Sequence, residues 1–249
     1  MTGSSYRNTF GATASATSYD TNVYASGSSA ELLWRVEAAI LRAEVEAASR
    51  GRPHPEYLDF ACGTGRITAL LEKMGDTTAI DVSPYMLERA RQKCSRAKFL
   101  CTDITAPGVA PEGKYDVITS FRFLTNAEDE LRRAVLAGLF DRLKDDGVLI
   151  VNTHGNPFSY RLLLLPYHWA KDRIRSRPLF GYLSNRMTRS LLDAAGFRVQ
   201  KIIGMGFVPE KLLWLLPTRL AAAVERALAG RKYIQATALN QMFICTKKT

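Results

Sequence analysis

The chain has 249 residues, of which 47% are hydrophobic, and a formal net charge of +10. This size suits one α/β domain with elaborations or at most two small domains, with enough apolar residues for a sizeable core. The four cysteines have no C-x-x-C spacing and the N-terminus has no apolar signal core. These features argue against a zinc framework, a disulfide scaffold and a secreted protein, and we expect a cytoplasmic location.

The positive charge is concentrated in the second part of the chain. Residues 1–156 hold 18 Lys/Arg and 20 Asp/Glu, a balance of −2, whereas residues 157–249 hold 16 and 4, a balance of +12. Such a region favours an anionic substrate, an anionic membrane surface or nucleic acid, and an ordinary solvated surface is the alternative. The apolar runs LLLLPYHWA and KLLWLLP are too short to span a bilayer, so any membrane contact is expected to be peripheral.

The predicted elements begin with an amphipathic helix at Glu31–Gly51, after a polar segment that we expect to be mobile. Strands and helices then alternate, with strands at Tyr57–Phe60, Thr77–Val82, Ala97–Ile104, Tyr115–Phe121 and Gly147–Thr153. An insertion at about 155–190 precedes a last helix and two strands, 198–205 and 240–248. The alternation predicts an α/β, Rossmann-like, doubly wound sheet that is mostly parallel, with an antiparallel C-terminal hairpin strand and helices on both faces.

A glycine turn, Cys62–Gly65, joins the first predicted strand to a helix. Strand, glycine turn and helix N-terminus together form a cradle for a nucleotide-like ligand. A nicotinamide dinucleotide is disfavoured because the G-x-G-x-x-G pattern lacks its third glycine, the turn continuing with Arg66 and Ile67. The Tyr167–Lys171 segment has the Tyr-x-x-x-Lys spacing of short-chain dehydrogenases, but that spacing arises easily by chance.

Five successive segments resemble class I S-adenosylmethionine-dependent methyltransferases of the small-molecule type. LDFACGTGR resembles the family's acidic-x-Gly-x-Gly-x-Gly motif, with Ala61 in the first glycine place and Gly63 and Gly65 in the others. AIDVSPYMLERAR, FLCTDI, YDVITS and LKDDGVLIVNT follow in the family's order, and LLDAAGF resembles the helix before its final hairpin. The resemblance covers 57–153 well and 189–248 loosely, and it implies S-adenosylmethionine as the cofactor.

The predicted cofactor-binding residues centre on three strand-end aspartates. A carboxylate at Asp81, 18 residues after Gly63, suits two ribose hydroxyls, while Asp59 lies under the turn near the methionine moiety. The resemblance implies that Asp103 accepts from the adenine amino group. It also implies that further residues line this site: Ala61, Gly63, Gly65, Val82, Met86, Ile104 and Ser120. The alternative role of the aspartates is helix capping or turn formation.

The N-terminal segment 1–30 contains YDTNVYASGSS, which resembles the lid of many small-molecule methyltransferases. The resemblance therefore places Tyr24 over the cofactor, and a disordered tail is the alternative. We expect residues 31–249 to form a single domain whose insertion binds the acceptor. No residue pattern predicts a metal site.

Two residues that follow predicted strands are candidates for catalysis. His154 directly follows the fifth strand, where an imidazole is suited to proton abstraction, and a polar loop histidine is the alternative. Arg122 follows the fourth strand and is expected to fix an anionic acceptor, with a salt bridge as the alternative. Asn126 and Tyr160 are weaker candidates. The predicted function is methyl transfer to a small-molecule acceptor, at an oxygen of a lipid-, sugar- or natural-product-type substrate.

Two other functions remain open. The first is an RNA methyltransferase, which only the basic region favours. The fourth strand lacks the Asn/Asp-Pro-Pro-Tyr/Phe motif, and the sequence shows no RNA-binding module. Nucleic acid is therefore the less favoured partner. A non-catalytic cofactor-binding or membrane-docking scaffold is the second alternative. Segments Phe158–Leu183 and Phe207–Arg231 combine Leu, Trp and Tyr with Lys and Arg, which suits an anionic or amphiphilic acceptor, peripheral membrane contact or a homodimer face.

Overall fold

The computed structural model describes residues 29–106, 113–160, 162, 183–209, 218–229 and 231–248. Tyr24, Tyr167–Lys171, nearly all of the predicted lid and most of the predicted insertion lie outside these residues. In the described part of the chain, no helix combines the length and apolar character needed to cross a membrane.

One sheet of seven strands organises the described residues, in the order β3-β2-β1-β4-β5-β7-β6. The strands are β1 (Glu56–Phe60), β2 (Asp76–Asp81), β3 (Lys98–Cys101), β4 (Tyr115–Phe121), β5 (Leu143–Thr153), β6 (Phe197–Met205) and β7 (Asn240–Lys247). The first five strands pair in parallel, and β7 pairs antiparallel with both β5 and β6. The strand order reverses between β1 and β4, and such a switch point leaves a ligand crevice at the carboxyl ends of the strands.

Helices pack on both faces of this sheet. They are α1 (Ser29–Ala48), α2 (Thr68–Leu71), α3 (Pro84–Lys93), α4 (Phe123–Asn126), α5 (Asp129–Arg142), α6 (Asn185–Ala194) and α7 (Thr218–Ala229), with a 3₁₀ helix at Lys232–Thr237. One core joins α5 and α6 to the sheet through residues such as Leu136 and Leu192. A second core joins α1, α2 and α7 through residues such as Leu41 and Leu71. The predicted mostly parallel α/β sheet with helices on both faces is therefore confirmed.

Two strand ends depart from the prediction by three residues or more. Strand β3 ends at Cys101 and not at Ile104, because Asp103 forms a turn in which its Oδ1 accepts from the N–H and the hydroxyl of Thr105 at 2.9 and 2.7 Å. Strand β5 begins at Leu143 and not at Gly147, since residues 143–146 are part of an irregular strand with a register shift between Tyr115 and Val117 on β4.

Candidate active site

A cleft opens at the carboxyl ends of β1, β2 and β4. It holds about 1040 Å³ of space not filled by protein atoms, counting its open mouth. Its walls are the turn after β1, the residues that follow β2, β3 and β4, and the first turns of α5. This is the position expected from the reversal of strand order.

The turn after β1 has a left-handed backbone at three positions, with φ of 55° at Ala61, 54° at Gly63 and 80° at Gly65. A Cβ atom added to Gly63 would meet nothing within 4 Å, so this glycine leaves its backbone open to a ligand. A Cβ atom on Gly65 would lie 2.8 Å from the Cβ of Ala90 and 3.2 Å from the Sγ of Cys94. Gly65 therefore allows α3 to pack against the turn, while Gly63 faces the cleft.

Asp81 is anchored at the end of β2 by two backbone donors. Its Oδ2 accepts from the N–H of Gly63 at 2.8 Å and its Oδ1 accepts from the N–H of Ser83 at 2.9 Å. Burial raises the pKa of this carboxyl, and the hydrogen bond from Ser83, followed by that from Gly63, opposes the rise. Because a carboxylate oxygen accepts more than one hydrogen bond, both oxygens retain capacity for hydroxyl donors of a ligand.

Asp59 forms a rigid part of the cleft wall at the end of β1. Its side chain is 1% exposed and accepts from the hydroxyls of Thr68 at 2.6 Å and Thr119 at 2.9 Å. Burial raises the pKa of Asp59 to about 6, against the opposing effect of these hydrogen bonds. One carboxyl group thus joins β1, α2 and β4 beneath the glycine turn.

The far end of the cleft combines one carboxylate with an apolar wall. Asp103 and the buried Ile104 follow β3, and the wall opposite comprises Phe123, Leu131 and Val135. The ring of Phe123 is fixed by an edge contact with Phe60, at 4.9 Å between centroids. An apolar slot lined also by a hydrogen-bond acceptor has the chemistry that a purine base requires.

Arg122 lies at the cleft with a strained backbone. Its φ is 61°, and within the described residues it and Ala61 are the only non-glycine residues in the left-handed region. The N–H of Arg122 donates to the carbonyl of Asn152 at 3.2 Å, and its own carbonyl accepts from Nδ2 of Asn126 at 2.7 Å. Both peptide groups are therefore fixed, which holds a conformation that costs about 1–3 kcal/mol and is typical of ligand sites.

The structure brings together most of the predicted site residues. Those that line the cleft are Asp59, Ala61, Gly63, Asp81, Val82, Met86, Asp103, Ile104, Arg122 and Asn126. Gly65, Ser120 and His154 are not among the lining residues, and Tyr24 lies outside the described residues. Ser120 is 1% exposed within β4, and His154 follows β5 with its backbone N–H 3.4 Å from the hydroxyl of Thr125.

Sequence reasoning did not assign several lining residues to the site, among them Thr64, Arg66, Phe121, Phe123, Leu131 and Val135. The guanidinium of Arg66 lies 4.4 Å from the ring centroid of Trp34 on α1. These two residues are far apart in the sequence, so no local pattern indicates their contact. Leu131 and Val135 have the i, i+4 spacing of one helix face, but spacing does not say which face of α5 meets a ligand. Among the described residues, no group of three or more His, Cys, Asp or Glu side chains is arranged to hold a metal ion.

Residues 58–147, from β1 into β5, match the family model described as a methyltransferase domain. The chain contains a methyltransferase domain. The match covers the turn after β1 and the strand ends that form the cleft. The predictions of a methyltransferase family and of its fold are confirmed for this domain.

Two relatives show how far the similarity extends. A malonyl-[acyl-carrier protein] O-methyltransferase from Acetivibrio thermocellus is 32% identical over 128 residues, which cover 48% of this chain and 42% of that protein. A ubiquinone biosynthesis O-methyltransferase from Xanthomonas campestris is 24% identical over 202 residues, which cover 74% of this chain and 78% of that protein. The chain thus spans less than half the length of the first relative.

A solved structure extends the likeness in fold over nearly the whole chain. Magnesium protoporphyrin IX methyltransferase from Synechocystis PCC 6803, with SAH bound, superposes with a TM-score of 0.62 at 17% identity. The superposition covers 97% of each chain. At this identity the comparison supports the fold of the methyltransferase domain.

Proposed function

We propose that the protein transfers a methyl group from S-adenosylmethionine to an oxygen atom of a small-molecule acceptor of lipid, sugar or natural-product type. The observation that carries this proposal is that one cleft contains both the anchored Asp81 carboxylate and the strained Arg122. A carboxylate held at the end of β2 suits the ribose of the cofactor, and a guanidinium at the end of β4 suits an anionic acceptor.

The cofactor is expected to lie along the ends of β1, β2 and β3. Asp81 would accept from the ribose hydroxyls, and the slot beside Asp103 and Ile104 would hold the adenine. The methionine end would then lie over the turn at 61–64, above Asp59. The negative charge of Asp59 is favourable for a cationic sulfonium, and its hydrogen bonds to two threonines keep the wall in place.

The acceptor is expected beside β4, where Arg122 lies between Phe121 and Phe123 in sequence and all three line the cleft. The guanidinium would orient an anionic group, while the rings contact the apolar body of the acceptor. Methyl transfer is an in-line displacement at a carbon already activated by the sulfonium, so alignment of nucleophile, carbon and sulfur supplies much of the acceleration.

His154 is the proposed general base for a hydroxyl acceptor. It follows β5 at the same edge of the sheet, and its backbone is held by Thr125, a residue of α4. A carboxylate acceptor would already be ionised at neutral pH and would need no base. The two relatives named as O-methyltransferases support oxygen as the methylated atom.

The first experiment measures thermal unfolding of wild type and Asp81→Ala with S-adenosylmethionine, S-adenosylhomocysteine or NAD(P)H. A ligand at about a hundred times its dissociation constant stabilises the folded state by roughly 2.7 kcal/mol. We expect stabilisation of wild type by the two adenosyl-sulfur ligands alone and its loss in Asp81→Ala. Asp76→Ala, at the other end of the same strand, is the matched control and should respond as wild type does. Stabilisation by NAD(P)H alone would contradict the proposal.

The second experiment measures release of S-adenosylhomocysteine with a panel of hydroxylated and carboxylated amphiphiles. Arg122→Met should raise KM for anionic acceptors far more than for neutral ones. His154→Gln should remove the acidic limb of the pH profile, the fall of kcat at low pH, with hydroxyl acceptors and should leave carboxylate acceptors unaffected. Turnover on RNA with no turnover on the amphiphiles would contradict the proposed acceptor class.

A further inference from the structure

Large apolar side chains are exposed on two neighbouring segments of the C-terminal region. Phe158 is 59% exposed and Leu162 48% exposed in the segment after β5, and Tyr233 is 99% exposed in the 3₁₀ helix. Leaving large apolar side chains in water gains nothing for folding, and a group of them marks a contact surface. We call Phe158, Leu162 and Tyr233 the apolar patch.

Asn156 holds the two segments of the apolar patch together. Its side chain is 2% exposed, and its Nδ2 donates to the carbonyls of Ala236 at 2.6 Å and Ala238 at 2.9 Å. Its Oδ1 accepts from the N–H of Phe158 at 3.1 Å. Phe158 and Tyr233 therefore project from one buried hydrogen-bonded scaffold and not from two independent loops.

In the sequence, the charged residues next to those of the apolar patch are all basic. Segments 154–162 and 231–240 contain Arg161, Arg231 and Lys232 and no aspartate or glutamate, within a region of net charge +12. Protein surfaces that lie in a membrane interface typically combine aromatic side chains with basic residues and contain few acidic ones. Anionic lipid headgroups attract such basic residues over about one Debye length of roughly 10 Å.

The apolar patch lies at the same edge of the sheet as the cleft. Asn152 near the end of β5 pairs with Phe121, a cleft residue at the end of β4. Thr153, the last residue of β5, pairs with Gln241 near the start of β7, and the two segments of the patch adjoin these strand ends. A surface that covers the apolar patch therefore lies beside the carboxyl ends of the strands, where the cleft opens.

We propose that the apolar patch and its basic neighbours dock this edge of the protein onto an anionic lipid bilayer. A second copy of the chain is disfavoured as the occupant, because a two-fold contact would bring two copies of the same basic residues together, whereas an anionic bilayer neutralises them. Docking is peripheral, with side chains inserted at headgroup level. It would present the cleft to amphiphilic acceptors in the membrane, and this last step alone rests on the proposed function.

The test is co-sedimentation of the full chain with phosphatidylcholine vesicles, with and without phosphatidylglycerol, at low and high salt. Wild type should bind the vesicles that contain phosphatidylglycerol and should bind more weakly at high salt. Phe158→Asp/Tyr233→Asp should weaken binding about tenfold or more, because each change removes an inserted ring and adds a repelled charge. The matched control is Met187→Asp on α6, another 50% exposed apolar residue, which should bind nearly as wild type.

Binding of S-adenosylhomocysteine and sedimentation velocity complete the test. Unchanged affinity for S-adenosylhomocysteine in the double variant would show that it is folded and that the cleft is intact. Absence of wild-type binding to the anionic vesicles, or equal binding by wild type and the double variant, would overturn the proposal. A wild-type dimer that the double variant converts to a monomer would overturn it in favour of a second copy. These outcomes leave methyl transfer untouched, since the cofactor is assayed separately.

Discussion

Asp59 and Asp116 are both almost fully buried, at 1% and 2% exposure, on the neighbouring strands β1 and β4. Asp59 lies at the cleft edge of the sheet, where two threonine hydroxyls are its partners and burial raises its pKa to about 6. Asp116 lies at the opposite edge and accepts from the N–H of Glu56, from Lys144 and from Arg52. Burial alone would raise the pKa of Asp116, but these partners outweigh it and the pKa lies below its usual value.

The comparison separates two uses of the same side chain. At the opposite edge Asp116 pairs with Arg52 and Lys144. Lys144 also pairs with Glu56, and Arg52 also pairs with Asp146. At the cleft edge the protein retains desolvated carboxylates and two strained backbone positions, Ala61 and Arg122. Desolvated charges and strained backbone lower the stability of the fold and are retained where a ligand binds. Substitutions at the cleft edge should therefore affect ligand binding, and substitutions at the opposite edge should affect stability.

Removal of Asp116 should give the largest loss of stability. Asp116→Ala leaves Arg52 and Lys144 without their buried partner, and breaking such a pair costs about 3–5 kcal/mol. Urea unfolding measures this loss, with Asp146→Ala as the matched control. Asp146 pairs with the same Arg52 but its side chain is 74% exposed, so its removal should cost no more than about 1 kcal/mol. Similar losses of stability in Asp116→Ala and Asp146→Ala would contradict the claim that the buried Asp116 stabilises this edge of the fold.

The two glycines of the cleft turn should differ in their tolerance of alanine. Gly65→Ala adds a Cβ atom against Ala90 at a left-handed position, and strain plus overpacking should cost about 2–4 kcal/mol. Gly63→Ala meets no atom within 4 Å, so strain alone should cost about 1–2 kcal/mol while the new methyl group obstructs the ligand. Gly65→Ala should therefore lose more stability in urea unfolding than Gly63→Ala. Gly63→Ala should lose more affinity for S-adenosylhomocysteine than Gly65→Ala. The same order in both assays would contradict the distinction between a packing and a ligand-facing glycine.

The pH dependence of stability should have opposite signs at the two edges. The pKa of Asp59 rises from 3.8 to about 6 on folding, so its contribution is most favourable below 3.8 and is lost as pH rises through about 6. Asp59→Asn removes this loss, and its stability relative to wild type should improve by up to ~3 kcal/mol between about pH 4 and pH 8.

Asp116→Asn is the matched control for that measurement. The pKa of Asp116 is lowered by folding, so its contribution is present above the unfolded value of 3.8 and is lost as pH falls below it. Relative to wild type, Asp116→Asn should therefore become less destabilised as the solution is acidified. Parallel pH profiles for the two variants would show that the two aspartates have the same surroundings.

The smallest expected effect is a gain of stability at Ala61. Ala61→Gly places at φ 55° a residue that adopts this conformation without strain, so the free energy of unfolding should rise by about 0.5–1 kcal/mol. Ala43→Gly, on the exposed side of α1, should instead lose about 1 kcal/mol, as expected in a helix interior. Equal losses in the two variants would show that the backbone at Ala61 is unstrained.

The sequence predicted the functional edge better than the stabilising edge, for a physical reason. Asp59, Asp81 and Asp103 each follow an apolar run, so local pattern sufficed to place them at the ends of parallel strands. The ion pairs of Asp116 join residues that are far apart in sequence, Arg52 and Lys144, and no local pattern links them. The left-handed backbone at Arg122 was equally unpredictable, because it depends on hydrogen bonds to Asn152 and Asn126 that only the fold brings near.

The central claim is that the cleft edge binds the cofactor and the opposite edge stabilises the fold. Calorimetric titration of S-adenosylhomocysteine into Asp81→Ala and Asp116→Asn tests it most directly, at a temperature where both variants are folded. Loss of two charge-assisted hydrogen bonds of about 1.5 kcal/mol each predicts an affinity roughly a hundredfold lower in Asp81→Ala. Asp116→Asn should bind as wild type does. Wild-type affinity in Asp81→Ala, or equal weakening in both variants, would contradict the claim.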